Sequence, residues 1–262
     1  MSSVLDNRFL APALVTCILL VAHLSFGILE SYTRTSLSIA TALGAELVLG
    51  RAFYGKWPHL ASGYITGISV GMLIRSQMVW PYVLASLLSI TSKYVLRTER
   101  GHLWNPSNFG ISAVLLLAPA TVAGLSIQWG NQVWPMLVVW LLGAVIVWRL
   151  GRLHVCLTYT AAFVVFAFVR GLVTGNPWLA GLAPITGPMY QLFIFFMITD
   201  PRTTVRSRSG QRWVVVAVAF VEMFLRLAEF VYAPFYALFL VGPVALTFER
   251  ARACHVVDRM PA

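Results

Sequence analysis

Two short stretches gather polar residues in a chain that is otherwise strongly apolar. Residues 90–110 read ITSKYVLRTERGHLWNPSNFG, and residues 187–210 read GPMYQLFIFFMITDPRTTVRSRSG. Each contains a short polar residue before proline, Asn105-Pro106 and Asp200-Pro201. This pair is typical of a helix start, because the side chain accepts free backbone N–H groups and proline lacks the donor that would be left unpaired. We therefore predict that Asn105 and Asp200 are both helix N-caps.

The same two stretches carry the chemistry of an anion site. A helix N-terminus favours negative charge through its free N–H groups and its dipole. Basic residues surround both predicted helix starts: Lys93, Arg97, Arg100, Arg202, Arg206 and Arg208. Together they predict a site for a phosphate or another anionic group.

Acidic residues inside apolar segments are the second candidate for chemistry, because such groups are costly in a membrane and often mark ion pathways. Glu46 and Glu222 are the two deepest, and we predict that both belong to an ion pathway. Glu222 and Arg226 are four residues apart on one predicted helix face, so they are expected to neutralise each other. Glu46 has no such partner in its own segment except Arg51 near the segment's end.

Cysteine and histidine spacing predicts no metal site. The chain has 3 cysteines and no CxxC pair, so a structural zinc or cysteine-ligated iron–sulfur site lacks its ligands. His23 and His154 could face each other as haem ligands, but the favoured interpretation is that each is hydrogen-bonded within the bundle or lies at the membrane interface.

The composition indicates what elements position these residues. Hydrophobic residues make up 59% of the 262 and charged residues 11%, which is too few charges to coat a water-facing surface. About ten apolar segments approach the roughly 20 residues that cross a bilayer. They lie near 9–29, 36–54, 60–74, 77–96, 106–124, 131–149, 153–172, 182–199, 212–229 and 232–249. We predict a single all-α, polytopic membrane domain over 1–262.

The positions of the basic residues predict the orientation. Cytoplasmic loops of membrane proteins are enriched in Lys and Arg. With both termini cytoplasmic, only Arg34, Arg75, Arg170 and Arg226 of the 19 basic residues fall in outer loops. The net charge of +10 is then explained by lipid headgroups rather than by nucleic acid. We expect a bacterial inner-membrane protein whose surroundings are the lipid bilayer and other subunits.

The two polar stretches also resemble a known family. SKYVLRTERGHLWNPSNFG is similar to the basic segment and His-x-x-Asn-Pro of the NqrB/RnfD family, and FFMITDPRT is similar to that family's Phe-Phe-Met-x-Thr-Asp-Pro signature. The resemblance is strongest over residues 90–205, and in size the chain resembles the small stand-alone, UnbU-like members. It implies about ten transmembrane helices in two related five-helix halves, near 1–125 and 131–262.

The resemblance implies an integral membrane subunit of an Rnf- or Nqr-like electron-transfer system. Larger members attach FMN covalently to the last Thr of a [Ser/Thr]-Gly-x-Thr motif, but the nearest match here, Thr186-Gly187-Pro188-Met189, lacks that threonine. We therefore expect FMN or riboflavin bound non-covalently at the cytoplasmic face, with other membrane or redox subunits as partners. The alternatives are a small-solute or ion permease with a urea-transporter-like bundle, and a non-catalytic membrane scaffold.

A flavin site of this kind assigns roles to specific residues. Phe109, Tyr190, Phe193 and Phe196 are expected to form apolar walls for the ring, and Lys93 and Asn108 to bond its polar edge. The full set of predicted cofactor-binding residues is Lys93, Arg97, His102, Asn105, Asn108, Phe109, Thr199, Asp200 and Arg202.

Overall fold

The computed structural model describes residues 31–98, 101–125 and 133–257, with side chains to residue 252, and scattered positions between 12 and 29. The described chain is mainly α-helical, as the sequence predicts. Only scattered positions of the predicted segment 9–29 are among the described residues.

The helices of the first half follow the predicted segments closely. They are α1 (Tyr32–Tyr54), α2 (Ala61–Leu73), α3 (Trp80–Val95) and α4 (Pro106–Leu117). The Ser31 side chain caps the start of α1, and Gly55 closes its end in the left-handed conformation at φ 67°, which glycine adopts without a steric penalty. Pro106 is the first residue of α4, and Asn105 caps it.

The second half contains one broken segment among long helices. It comprises α5 (Val133–Arg149), α6 (Leu153–Thr174), a 3₁₀ helix (Ala180–Thr186), α7 (Pro188–Leu192) with a π-helical continuation (Phe193–Met197), α8 (Arg208–Leu227) and α9 (Ala233–Val257). The 3₁₀ helix and the Pro188–Met197 segment meet at a bend of 63°. The predicted segment 182–199 is therefore two short helices rather than one straight span.

Two short antiparallel ladders, which the apolar pattern of the sequence does not predict, connect loops to helix ends. Strand β1 (Ile74–Arg75) pairs with β4 (Ala123–Gly124), and β2 (Arg97–Thr98) pairs with β3 (Gly101–His102). The first ladder shortens the predicted segment 106–124, because α4 ends at Leu117 and the chain continues through a turn into β4.

Length and composition support fewer membrane-crossing helices than the sequence predicts. Within the described residues, α1 and α6 are long and apolar enough to cross a membrane, and the bent pair would make a third. The helices α2, α4 and α5 are apolar but shorter, and α8 carries Arg212, Glu222 and Arg226. The lengths and compositions of the helices therefore do not establish the predicted number of about ten membrane crossings.

Apolar side chains fill the core and also cover much of the surface, while a few polar side chains are buried within the core. On α6, Leu157 is 62% exposed and Leu172 is 70% exposed. Ser38, Ser86 and Ser112 are completely buried. An apolar exterior of this extent is unfavourable in water and favourable in lipid.

Helix packing follows the same order in both parts of the chain. In the first, α1 packs on α3 and α3 on α4; in the second, α6 packs on α8 and α8 on α9. In addition, α1 packs extensively on α2, without an equally large counterpart in the second part. The helices α4 and α9 also contact each other, so they join the two sets. This framework positions three groups of polar residues.

Candidate functional site

The first group joins the two polar stretches directly. The Asn105 side-chain oxygen accepts the backbone N–H of Asn108 at 3.1 Å and the Ser107 hydroxyl at 2.8 Å. Its amide nitrogen donates to Oδ2 of Asp200 at 3.1 Å. Asn105 is therefore a helix N-cap, as predicted, and it also links motifs that lie 95 residues apart. We call this contact the loop junction.

Asp200 is not a helix N-cap, so that prediction is wrong. Its Oδ1 accepts the backbone N–H of Arg202 at 3.0 Å and closes a turn. The next helix begins at Arg208, where the Ser207 hydroxyl accepts the N–H of Gly210 at 3.0 Å. An Asp side chain before proline can accept a backbone N–H in a turn as well as at a helix start. The second oxygen of Asp200 accepts from the Asn105 amide.

Basic groups surround the loop junction. The His102 ring nitrogen Nδ1 lies 3.2 Å from the Lys93 carbonyl oxygen, and burial is the main cause that lowers the pKa of His102, with Lys93 and Arg202 acting in the same direction. Burial also lowers the pKa of Arg152, while Asp200 opposes that shift. The Arg152 Nη1 atom is buried and has no hydrogen-bond partner within the described part of the chain.

The remaining residues of the predicted flavin site are divided among other contacts. The Asn108 amide donates to the Phe235 carbonyl at 3.2 Å, and the Thr199 hydroxyl donates to the Phe195 carbonyl at 2.6 Å. The guanidinium of Arg97 lies over the Tyr54 ring at 5.1 Å. Phe109 packs between Trp104 and Phe239, with ring centroids 5.5 and 5.6 Å away.

The structure distributes the predicted flavin-binding residues over separate contacts. His102 and Arg152 interact electrostatically with the Asp200 carboxylate, and the Arg202 backbone N–H donates to it. Lys93 donates to Glu46, and the Asn108 amide donates to the Phe235 carbonyl. The Asn108 side-chain oxygen is buried and has no partner among the described residues. Tyr190, a predicted ring wall, belongs to a different group around Glu222.

The second group is a buried ion pair between α1 and α3. Lys93 Nζ donates to Oε1 of Glu46 and, at 3.2 Å, to the Ser62 hydroxyl. The Tyr94 hydroxyl donates to the same Glu46 oxygen at 2.9 Å. Glu46 thus has a partner 47 residues away, which helical spacing does not reveal. Arg51, its predicted neighbour, instead donates to the Gly55 carbonyl.

The third group surrounds Glu222 on α8. Arg226 Nε donates to Glu222 Oε1 at 3.0 Å, so the predicted ion pair is confirmed. The hydroxyls of Tyr159 and Tyr190 donate to the two oxygens of the same carboxylate. The guanidinium groups of Arg170 and Arg226 both lie near the Phe163 ring, at 5.5 and 5.8 Å from its centroid.

Neither tyrosine is recognisable from the sequence as a partner of Glu222. No local spacing connects Tyr159 or Tyr190 to that residue, since they come from α6 and α7. The only signal was that each carries a hydroxyl inside an apolar segment, and a buried hydroxyl needs a partner.

The two histidines considered as haem ligands make separate contacts. His154 Nε2 lies 2.8 Å from the Gln211 side-chain oxygen, and His23 Nε2 lies 2.5 Å from the Tyr32 hydroxyl. The favoured interpretation, separate hydrogen bonds, is confirmed. Within the described residues, no three His, Cys, Asp or Glu side chains are grouped as a metal would require.

Comparison with known proteins adds no assignment to these sites. No protein-family model matches the chain, and no curated protein is detectably similar to it.

Proposed function

We propose that this protein is an integral membrane subunit of an Rnf- or Nqr-like electron-transfer system. The observation that carries the proposal is the loop junction. The two stretches that resemble the NqrB/RnfD motifs lie far apart in sequence, yet Asn105 and Asp200 bond directly at 3.1 Å. A pair of motifs that meet in one place is what a shared binding site requires.

The proposed arrangement is a bundle of about ten spans in the bacterial inner membrane, with both termini cytoplasmic. The repeated packing of α1 on α3 and α6 on α8 supports two related halves, near 1–125 and 131–262. The short helices α2 and α4 and the bent segment would cross with the help of the adjoining loops.

The proposed cofactor is FMN, bound non-covalently at the loop junction. When bound, FMN would supply the one- and two-electron chemistry. The protein residues would only bind and orient it: Arg152 and Arg202 would hold its phosphate, and His102 would donate a hydrogen bond. Lys93 is left out of the proposed site because it binds Glu46. Asn108 stays in it, because its side-chain oxygen is buried and has no partner among the described residues. Riboflavin lacks the phosphate, so this geometry favours FMN over riboflavin.

Gentle purification followed by absorption spectroscopy tests the cofactor. We expect flavin bands in the native protein, and uptake of FMN but not riboflavin by stripped protein. Arg152→Gln should lose FMN, whereas Arg252→Gln should retain it, because Arg252 stacks on Phe248 at 4.4 Å, in a separate contact. Protein that carries no flavin and takes up none refutes the cofactor site.

A second candidate function is ion or small-solute permeation. The observation that favours it is the burial of Glu46 and Glu222, each in contact with side chains from neighbouring helices. Buried charges in a membrane protein often mark a pathway. Flux measured in proteoliposomes without any redox partner would distinguish a permease from an electron-transfer subunit. If the protein shows neither bound flavin nor solute flux, the non-catalytic membrane scaffold is the remaining candidate function.

A further inference from the structure

The buried group around Glu222 contains more positive than negative charge. We call it the Glu222 cluster, and it consists of Glu222, Arg226, Tyr159, Tyr190 and Arg170. Both arginines interact electrostatically with the one carboxylate. Glu222 is 1% exposed and Arg170 is 9% exposed. Two guanidinium groups beside one carboxylate leave an excess of one positive charge, and a buried charge without a counter-charge is costly, above all in a membrane.

The Glu222 carboxylate is committed to partners other than Arg170. Its Oε1 accepts from Arg226 Nε at 3.0 Å and from the Tyr190 hydroxyl. Its Oε2 accepts from the Tyr159 hydroxyl. Arg226 Nη2 also donates to the Tyr190 oxygen. Glu222 is therefore matched to Arg226, and the excess charge of the Glu222 cluster is that of Arg170.

Arg170 forms no ion pair with the described residues. Its Nη2 donates to the Gly181 carbonyl at 3.1 Å, and its guanidinium lies 5.5 Å from the centroid of the Phe163 ring. A guanidinium carries five N–H donors, so the bond to Gly181 leaves most of them for a ligand. Arg226 lies over the same ring at 5.8 Å and adds to the positive potential at Arg170.

The Glu222 cluster lies near the ends of two apolar helices. Arg170 precedes Thr174, the last residue of α6, by one helical turn, and Arg226 is the penultimate residue of α8. The loop after α6 folds back onto this turn, because a Cβ at Gly171 would lie 2.9 Å from Cβ of Trp178. The Trp178 side chain is 41% exposed, which is typical of tryptophan at a membrane boundary. In the proposed topology this boundary is the outer one.

We propose that Arg170 binds a phosphate group at the outer ends of α6 and α8, with Arg226 supplying a second positive charge nearby. A guanidinium can donate two parallel hydrogen bonds to two phosphate oxygens. A phosphodiester carries a single negative charge, which equals the excess charge of the Glu222 cluster. The phosphate can come from a phospholipid headgroup or from free phosphate in solution.

This phosphate site is separate from the proposed flavin site. Arg152 precedes α6 and Arg170 lies near its end, so the two are about 27 Å apart along the helix. The proposal rests on the proposed membrane-spanning arrangement and not on flavin.

Thermal unfolding of the full-length protein in detergent tests the site and the source of its phosphate. Delipidated protein is titrated with phosphatidylglycerol, with diacylglycerol of the same acyl chains, and with inorganic phosphate or chloride at equal ionic strength. A larger rise in unfolding temperature with phosphatidylglycerol than with diacylglycerol assigns the site to a headgroup. A larger rise with inorganic phosphate than with chloride assigns it to a free anion. If neither phosphate compound exceeds its control, the proposal is overturned.

Substitution of Arg170 tests which residue binds the phosphate. Arg170→Gln should weaken binding of the effective phosphate compound about tenfold or more, because a hydrogen bond to a charged group is lost. Arg170→Lys keeps the charge without the planar fork and should give an intermediate affinity. It also provides a second variant if Arg170→Gln does not unfold cooperatively.

Arg34→Gln is the matched control for these variants. It removes the same charge on the same proposed side of the membrane, at a guanidinium that also donates to a backbone carbonyl, that of Gln77 at 2.7 Å. It should bind phosphate as the native protein does. Native affinity in both Arg170 variants, or an equal loss in Arg34→Gln, overturns the proposal. Flavin absorption is recorded in the same samples, and its absence would refute only the proposed FMN site.

Discussion

Asn105 and Asp200 show how one side chain can serve two purposes at once. The oxygen of Asn105 caps α4, while its amide nitrogen binds the Asp200 carboxylate. Capping is local and would be served by several residue types. The bond to Asp200 needs a donor at the same position, which serine supplies less well and alanine does not supply.

Substitution of Asn105 should therefore separate the two purposes. We expect Asn105→Ala to lower the free energy of unfolding by about 0.5–2 kcal/mol through the lost cap. Asn105→Ser should restore most of that stability, because serine caps well, while weakening the link to Asp200. Thermal unfolding in detergent measures the first effect, and FMN retention measures the second. Equal behaviour of the alanine and serine variants would show that the residue does not act as a cap.

The buried Glu222 carboxylate neutralises Arg226 and accepts two tyrosine hydroxyls. Glu222→Gln keeps the size of the side chain but leaves Arg226 without its negative partner, so we expect a loss of about 3–5 kcal/mol in stability. The double variant Glu222→Gln with Arg226→Gln should be less destabilised than the single one, because no unpaired charge remains. Thermal unfolding checks both.

Glu229 provides the control for this pair. It lies at an exposed position after α8, so Glu229→Gln should leave the unfolding temperature unchanged. If Glu222→Gln is as stable as the native protein, the Arg226 charge does not depend on the Glu222 carboxylate for its stabilisation.

Helix positions follow from the sequence far better than the contacts between helices do. The apolar segments 36–54, 77–96 and 153–172 match α1, α3 and α6 closely, because apolar composition persists along each helix. The Glu222–Arg226 pair was also predictable, since the spacing of one helical turn is a local property.

Contacts that cross between helices were not predictable from spacing. Lys93 was assigned to a flavin ring, but it binds Glu46 on another helix. Asn105-Pro and Asp200-Pro share one local pattern, yet only the first opens a helix, because the surroundings decide whether the acceptor caps a helix or closes a turn. The β1–β4 ladder joins residues near the ends of α2 and α4, so it too depends on the assembled fold.

The effect of replacing a helix glycine on stability should depend on the atoms that the added methyl group meets. Gly67→Ala places a methyl group 2.5 Å from Cα of Ile39, so backbones must move apart, and we expect a loss of about 1–3 kcal/mol in stability. Gly44→Ala is the matched control on α1, because an added Cβ there meets nothing within 4 Å. It should be neutral or stabilising, since alanine favours helix over glycine. Thermal unfolding of the two variants in the same detergent decides the comparison.

At the scale of the whole molecule, the orientation in the membrane is the property to establish. The proposed topology places Arg208 on the cytoplasmic side and the loop containing Trp178 on the outer side. We expect Arg208→Cys to resist an impermeant thiol reagent in intact cells and to react in inverted vesicles. Trp178→Cys, which replaces a side chain that is 41% exposed, should show the opposite behaviour.

The native cysteines must be replaced in both variants, so that labelling reports only the introduced thiol. Labelling of Arg208→Cys from outside the cell contradicts the proposed orientation. Labelling of both sites from the same side contradicts an odd number of crossings between them.

The shortness of α2 and α4 has a consequence for the surrounding lipid. With 13 and 12 residues, they extend about 20 and 18 Å, whereas the hydrocarbon core of a bilayer is about 30 Å thick. The two helices pack against each other, so the mismatch is concentrated in one region instead of being spread around the protein. Lipid hardly meets this region, however, because no residue of α2 is exposed and on α4 only Leu116 and Leu117 are. The longer helices around them therefore shield the bilayer from the mismatch, and the protein should show little preference for thin membranes.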